Sequence, residues 1–186
     1  MAGRRDEVLN AAIAVLAAGG LRRLTYQAVD GAAGVPAGTT SNHFRNRDAL
    51  VDGVVAHLEK LDRRDWESFA GRAAPHGIDE LAAALARMVE HLVGPARDRT
   101  SARYALLLEG LARPSVRVPL VRGRESLVRW GAEWLAASGS PDPEGHCRVL
   151  FDLLEGMMFH QVTLPDESFR PERAIRTALR AFFPEA

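Results

Sequence analysis

The chain has 186 residues, 47% hydrophobic and 26% charged, and its 24 basic and 24 acidic side chains cancel to a formal net charge of zero. That composition is too apolar for a disordered chain, and the length allows a sizeable core without disulfides. The single cysteine, Cys147, excludes an intrachain bridge, and no run of about 18 uncharged apolar residues offers a membrane span. Taken alone, zero net charge argues against a nucleic-acid binder, which is usually basic. The segment Met1 to Leu9 is charged at Arg4, Arg5, Asp6 and Glu7 and lacks the apolar stretch of a signal peptide, so a cytoplasmic protein with no membrane partner is expected.

Helical periodicity runs from end to end, with no convincing alternating strand. A first helix is predicted over Arg5 to Ala18, with Val8, Ala12, Val15 and Leu16 on one stripe and Gly19-Gly20 as its stop. Thr25 then caps a short helix to about Ala33 that turns Ala28, Val29 and Ala32 inward, and Gly34 ends it. Pro36 opens a third short helix, Ala37 to about His43, which Arg45-Asn46 break. From Arg47 a longer helix carries Leu50, Val54, Leu58 and Leu61 at spacings of four, four and three, continues past Trp66 towards Phe69, and is ended by the stretch from Gly71 to Gly77 with Pro75. Further helices are bounded by glycine and proline: Ile78 to Val93, Arg97 to Ala112, Ser115 to Ala137 (divisible at Pro119 or Gly123), Pro143 to Val162, and Pro171 to Phe183 before Pro184. The reading is an all-α protein of about nine helices.

The second and third helices, joined by a tight turn at Gly34-Val35, have the arrangement of a helix-turn-helix, whose second helix enters the DNA major groove. That helix carries an unbroken polar run, Thr39, Thr40, Ser41, Asn42 and His43. Short hydroxyl and amide side chains suit phosphates and base edges, Gly38 permits close approach to the groove, and a helix N-terminus offers N–H groups to a phosphate. A solvated surface helix would show the same run. Local charge adds weight to the DNA reading: from Arg22 to Arg47 there are four basic residues, Arg22, Arg23, Arg45 and Arg47, against one acid, Asp30. The electrostatic footprint therefore coincides with the helix-turn-helix although residues 1 to 60 as a whole hold seven basic and six acidic groups.

Taken in order, Val8-Leu9, Ala11-Ala12, Gly20, Leu24-Thr25, Ala32-Ala33-Gly34-Val35, Gly38-Thr39, His43-Phe44 and Asp48-Ala49-Leu50 resemble, at matching spacing, the tetracycline-repressor-like (TetR/AcrR) transcriptional regulators. The resemblance is close over about the first 60 residues, and the helical remainder agrees in length and helix count. It implies an N-terminal three-helix DNA-binding domain, here residues 1–48, followed by a helical ligand-binding and dimerisation domain, 49–186. It further implies that Thr25 and Tyr26 touch phosphate, that Gln27 reaches a base edge, and that Ala37, Gly38, Thr39, Ser41, Asn42 and His43, with Thr40 in the same run, occupy recognition-helix positions. Arg47 then matches a basic residue that grips the backbone, and Phe44 a core aromatic. Two departures stand out: Ser41 replaces a usual aromatic, and Pro36 stands where a serine or threonine cap is common.

By the same resemblance the last two helices form a four-helix bundle across a twofold axis. Val149, Leu150, Leu153, Leu154, Met157, Met158 and Val162 give the first of them more apolar surface than one internal face requires, which a homodimer would bury. Trp66, Tyr104, Trp130 and Trp134 fall on the helices that enclose an effector cavity in the family; with Leu107, Leu108, Met157 and Met158 they would line an apolar pocket, with His160 among the candidate polar anchors. Packed core accounts for the same residues. His57, His76, His91 and His146 show no ligand spacing, so neither a metal nor a cofactor is expected. The leading expectation is a homodimeric repressor on a palindromic double-stranded DNA operator, released by an unknown small-molecule effector. A constitutive or partner-controlled DNA binder stays open. A small helical enzyme lacks a Gly-rich phosphate loop, a His/Glu metal motif and a nucleophile elbow.

Overall fold

The structure, a computed structural model, describes residues 3–70 and 77–183. Among them nine α-helices follow one another: α1 Arg4–Arg23, α2 Tyr26–Ala33, α3 Thr39–His43, α4 Arg47–Ala70, α5 Gly77–Val93, α6 Arg97–Gly110, α7 Pro114–Ala137, α8 Pro143–Thr163 and α9 Pro171–Phe182. The fold is all-α, as the periodicity predicts. Among the described residues no helix is long and apolar enough to cross a membrane.

Local chemistry accounts for most boundaries. Pro143 and Pro171 stand in the first turns of α8 and α9, where a missing N–H breaks no helical bond, and Asp142 caps α8 by accepting from the Gly145 amide at 3.1 Å. Pro119 does not divide α7; the carbonyl left without its donor is that of Ser115, an exposed residue of the first turn, where water can take the bond. α1 departs from expectation. It does not stop at Gly19-Gly20 but resumes after Gly20, whose φ of 65° and ψ of −171° interrupt it, and the added turn buries Leu21 ahead of Leu24. The predicted break at 71–77 lies outside the described residues except for Gly77, and so does the stop at Pro184.

The chain falls into two compact units, residues 1–61 with 98–123, and residues 62–97 with 124–186. α4 and α7 each pass from one unit into the other. The first unit is built round Val8, Leu9, Ala12 and Leu16 of α1, Val29 of α2, Phe44, and Leu50, Val51, Val54 and Leu58 of α4, joined by Leu106 and Val116. The predicted stripes of α1 and α4 thus face inward. In α2 the correction is twofold: Ala32 is exposed, and the buried partner of Val29 is Asp30.

A Cβ on Gly53 would lie 2.5 Å from Cε1 of Phe44 and 3.4 Å from Cδ2 of Leu9, so α4 reaches the ring only because no side chain intervenes. Gly53→Ala is expected to cost about 1–3 kcal/mol by overpacking, read as a lower urea midpoint at unchanged slope.

In the second unit α5 packs chiefly on α9, and α8 lies against both. Leu81, Leu85 and Val89 of α5, Leu150 and Met158 of α8, and Ile175 and Leu179 of α9 are buried. His146 stacks on Phe182 with ring centroids 4.4 Å apart, fastening the start of α8 to the end of α9. Cys147 is 2% exposed, and burial pushes its thiol up to about 11. It is an inert interior group at neutral pH. α8 also leaves apolar surface uncovered: Val149 is 54% and Phe159 40% exposed.

Candidate nucleic-acid interface

Thr25, extended at φ −117°, caps α2 by accepting from the Ala28 amide at 3.1 Å. At the other end Gly34 adopts φ 63°; its N–H donates to the carbonyls of Asp30 and Gly31 and that of Val35 to the Asp30 carbonyl, closing the helix in the left-handed turn that suits glycine. A second left-handed glycine, Gly38 at φ 91°, starts α3. α3 therefore begins at Thr39, two residues after the expected Ala37, because Pro36 to Gly38 form the turn itself; the Pro36 carbonyl accepts the Thr39 amide at 3.1 Å and its hydroxyl at 2.6 Å.

Asp30 joins the two helices. Only 4% exposed, it accepts from the Gly38 amide through Oδ2 at 2.8 Å and from the Thr40 amide through Oδ1 at 2.8 Å, while the Thr40 hydroxyl also donates to Oδ1. Burial by itself would raise the Asp30 carboxyl, but the bonds from the Thr40 hydroxyl and from the amides of Thr40, Gly38 and Thr39 outweigh it and hold the group below the ordinary aspartate value. Two expectations are corrected here. Thr40, in the polar run, is 0% exposed and faces the interior, because its hydroxyl completes the shell of a buried charge. The amides of Gly38 and Thr40 are spent on Asp30 and that of Thr39 on the Pro36 carbonyl, so these three are not offered to a phosphate.

At the far end of α3 the Tyr26 hydroxyl donates to the Phe44 carbonyl at 2.7 Å. Its proton is used within the fold, leaving only lone pairs, which a phosphate oxygen repels. Phe44 is 3% exposed, in the core as expected, with the Arg5 guanidinium 5.1 Å from its ring centroid.

The remaining predicted residues share the outside of this element. Gln27, Ala37, Ser41, Asn42 and His43 are exposed, and Gly38 and Thr39 half-buried. The Ser41 hydroxyl donates back to the Gly38 carbonyl at 2.9 Å, keeping its lone pairs outward. Arg47 is exposed, yet its guanidinium donates to the Leu21 carbonyl and so braces the end of α1. Arg22, Arg23 and Arg45 are also exposed. Between Arg22 and Arg47 every basic side chain thus faces solvent, while the one acid is a buried carboxylate held by hydrogen-bond donors. The charge that a partner can touch on this surface is therefore positive.

The residues expected to line a pocket are divided between the units. Trp66, Trp130 and Trp134 come together in the second unit, edge to face: centroids lie 6.4 Å apart for Trp66–Trp130, 5.5 Å for Trp66–Trp134 and 6.2 Å for Trp130–Trp134. The Arg63 guanidinium sits 4.9 Å from the Trp130 centroid, held by the Ser126 carbonyl and hydroxyl at 3.2 and 3.0 Å. Trp66 is 6% exposed, and its buried Nε1 has no hydrogen-bond partner among the described residues. In the same unit Met158 is buried, Met157 half-buried and His160 exposed. Tyr104, Leu107 and Leu108 belong to the first unit, and Leu107 and Leu108 are solvent-facing, the latter 63% exposed. They are corrected to surface side chains, since α6 presents that end of its stripe outward. Among the described residues no cluster of three His, Cys, Asp or Glu could hold a metal.

Two helices locked at a fixed angle by a glycine turn, the second short, polar outward and framed by arginines, define a helix-turn-helix DNA-binding protein. The chain belongs to the TetR family: residues 8–54 match the model of the bacterial regulatory proteins, tetR family, and residues 76–185 that of the tetracyclin repressor-like C-terminal domain. It is a DNA-binding transcriptional regulator and not an enzyme. Similar solved structures include a member of the TetR family from Streptomyces coelicolor A3, with 24% identity, 97% of this chain and 98% of that one covered, and a TM-score of 0.75. A transcriptional regulator from Rhodococcus sp. Rha1 shares 18% identity over 97% and 96% of the two chains, with a TM-score of 0.72. The multidrug binding protein EbrR, complexed with proflavin, shares 28% identity over 97% and 99%, with a TM-score of 0.61. No curated protein matches the chain significantly.

Proposed function

We infer that the protein is a cytoplasmic homodimeric repressor whose two α3 helices, with residues 1–48 as the reading head, enter successive major grooves of a roughly palindromic operator, and which a small molecule releases. The observation that carries the DNA side is the charge arrangement of the head: exposed Arg22, Arg23, Arg45 and Arg47 around α3, with Asp30 sunk beneath it. Thr39, Ser41, Asn42 and His43 supply donors and acceptors for base edges, Thr25 and Gln27 flank them at the start of α2, and the arginines supply backbone contacts. Dimerisation is supported by the uncovered apolar face of α8, and it provides the second half-site that so short a helix requires.

Effector binding is supported by the indole cluster of the second unit, with the buried Nε1 of Trp66 left to donate, and by the likeness to EbrR, which was solved with proflavin and with ethidium. α4 carries both Arg47 and Trp66, so one continuous helix runs from the reading head to that cluster. An effector shifts operator binding only by the difference in its affinity for the bound and released conformers.

The test is binding to the intergenic duplex upstream of the protein's own gene against a scrambled duplex at moderate salt. Operator affinity is expected to exceed the other by about a thousandfold or more, and Asn42→Ala to lose roughly 1–3 kcal/mol of it if the amide reads a base. Equal binding to both duplexes would refute the repressor reading. On the ligand side, thermal shift with planar dyes, proflavin first, is expected to raise Tm; a flat response across a broad library would favour a regulator without a small-molecule effector.

A further inference from the structure

Tyr26 and Asp30 stand four residues apart and therefore share one face of α2. That face meets α3 at both of its ends. Asp30 holds the start, through the Gly38 and Thr40 amides at 2.8 Å each and the Thr40 hydroxyl. Tyr26 holds the finish, through the Phe44 carbonyl at 2.7 Å. The geometry points to Tyr26 and Asp30 as a two-point polar clamp that positions the DNA-reading helix, with specificity as its product.

Little else defines α3. It has five residues, barely more than one turn, and a helix that short has no stability of its own. Its N-cap is Gly38, which has no side chain to cap with. The capping oxygen comes instead from another helix, so the start of α3 is fixed to α2 rather than to its own chain. The anchor is strong in kind: a carboxylate that accepts three donors while buried makes charge-assisted bonds that water does not compete for. Thr40, turned inward, sets the rotation of α3 about its axis; with residue 40 inside, Ser41, Asn42 and His43 are directed outward. Removing one end of the clamp leaves α3 attached through Phe44 but free to rock. That blurs base-edge geometry while leaving the surrounding arginines where they were.

This rests on the reading that α3 contacts base edges, and the experiment separates the two. Fluorescence anisotropy would measure wild type, Asp30→Asn, Thr40→Val, Thr40→Ser and Tyr26→Phe on the upstream intergenic duplex and on a scrambled duplex, across a salt series, with Tm recorded for each. Asp30→Asn, Thr40→Val and Tyr26→Phe are expected each to lower the ratio of the two affinities at least tenfold, with scrambled-duplex affinity and salt slope within twofold of wild type. Thr40→Ser, which keeps the hydroxyl, is expected to keep the wild-type ratio. Thr40→Val is near-isosteric and apolar at a buried position, so it reports on the clamp even if Asp30→Asn fails to fold.

The proposal is overturned if the ratio is unchanged in Thr40→Val and Tyr26→Phe, or if both affinities fall in step with Tm, as a merely structural role requires. A shallower salt slope in Tyr26→Phe would overturn it too, by making Tyr26 a phosphate contact. If wild type itself does not discriminate between the duplexes, the base-reading role of α3 fails first and the clamp falls with it.

Discussion

Gly156→Arg is expected to leave each chain folded and to abolish operator binding at concentrations where the wild type is saturated. Gly156 lies within α8, and a Cβ built on it would meet nothing within 4 Å. Nothing inside the chain therefore calls for glycine, which in a helix interior is less favourable than alanine by about 1 kcal/mol. Apolar side chains lie along this side of α8, with Phe159 three residues on 40% exposed, Val149 two turns back 54% exposed and Leu153 half-buried, although the exposed polar residues Asp152 and His160 stand one turn to either side. A small residue on such a face lets a second helix come close. In the proposed dimer, twofold symmetry would set the same face against itself. An arginine there would then bring two guanidinium groups together in a desolvated seam, a cost that nothing on that face compensates. Loss of the pairing forfeits the joint action of two heads, about 10²–10⁴ in apparent affinity. Sedimentation velocity and gel shift measure both halves, with Gly156→Ala as a control expected to fold and dimerise. A Gly156→Arg protein that stays dimeric and holds the operator normally would place the contact between copies elsewhere.

How far the sequence foretold these features depends on what each element uses to define itself. α5, α8 and α9 are long enough to repeat their apolar stripe and are bounded by glycine or proline, and their limits fall within a residue or so of those predicted, as does the start of α4 at Arg47. α1 did not, because Gly20 breaks the helical bonds without ending the packing, so Leu21 and Leu24 continue the buried stripe beyond it. α3 is shorter than two turns, too short for a period to show, and its start is set by a turn rather than by Pro36. The inward Asp30 and Thr40 are illegible for a different reason: burial is inferred from apolar residues, and a charge paired with a hydroxyl ten positions away carries no periodic signal. A hint was present, since Asp30 is the only charged residue in a helix otherwise small and apolar apart from Tyr26 and Gln27. The indoles were legible as a pair, Trp130 and Trp134 at helical spacing, whereas the exposure of Leu107 and Leu108 depends on which way α6 is turned, and its stripe is too weak to say.

The other large effect is expected at Trp66. Trp66→Ala should cost about 3–5 kcal/mol by leaving a cavity beneath Trp130 and Trp134, against a total of roughly 5–15 kcal/mol for a typical domain. With centroids 5.5 and 6.4 Å away, both neighbours lose edge-to-face partners at once. Urea titration followed by the remaining indole fluorescence reads the loss. Trp66→Phe separates the two properties of the side chain. It keeps most of the apolar ring and removes Nε1, which no group among the described residues accepts from. No hydrogen bond among the described residues is lost, so Trp66→Phe should cost well under half as much as Trp66→Ala. Leaving an indole N–H buried without an acceptor is itself unfavourable by about 1–3 kcal/mol, and a ligand that accepts from it would recover that penalty on binding. Trp66→Phe is therefore expected to fold nearly as well as wild type while losing most of the ligand-induced rise in Tm. If instead Trp66→Phe kept the full rise, the indole cluster would be packing alone, and the effector would have to bind without the buried Nε1 of Trp66.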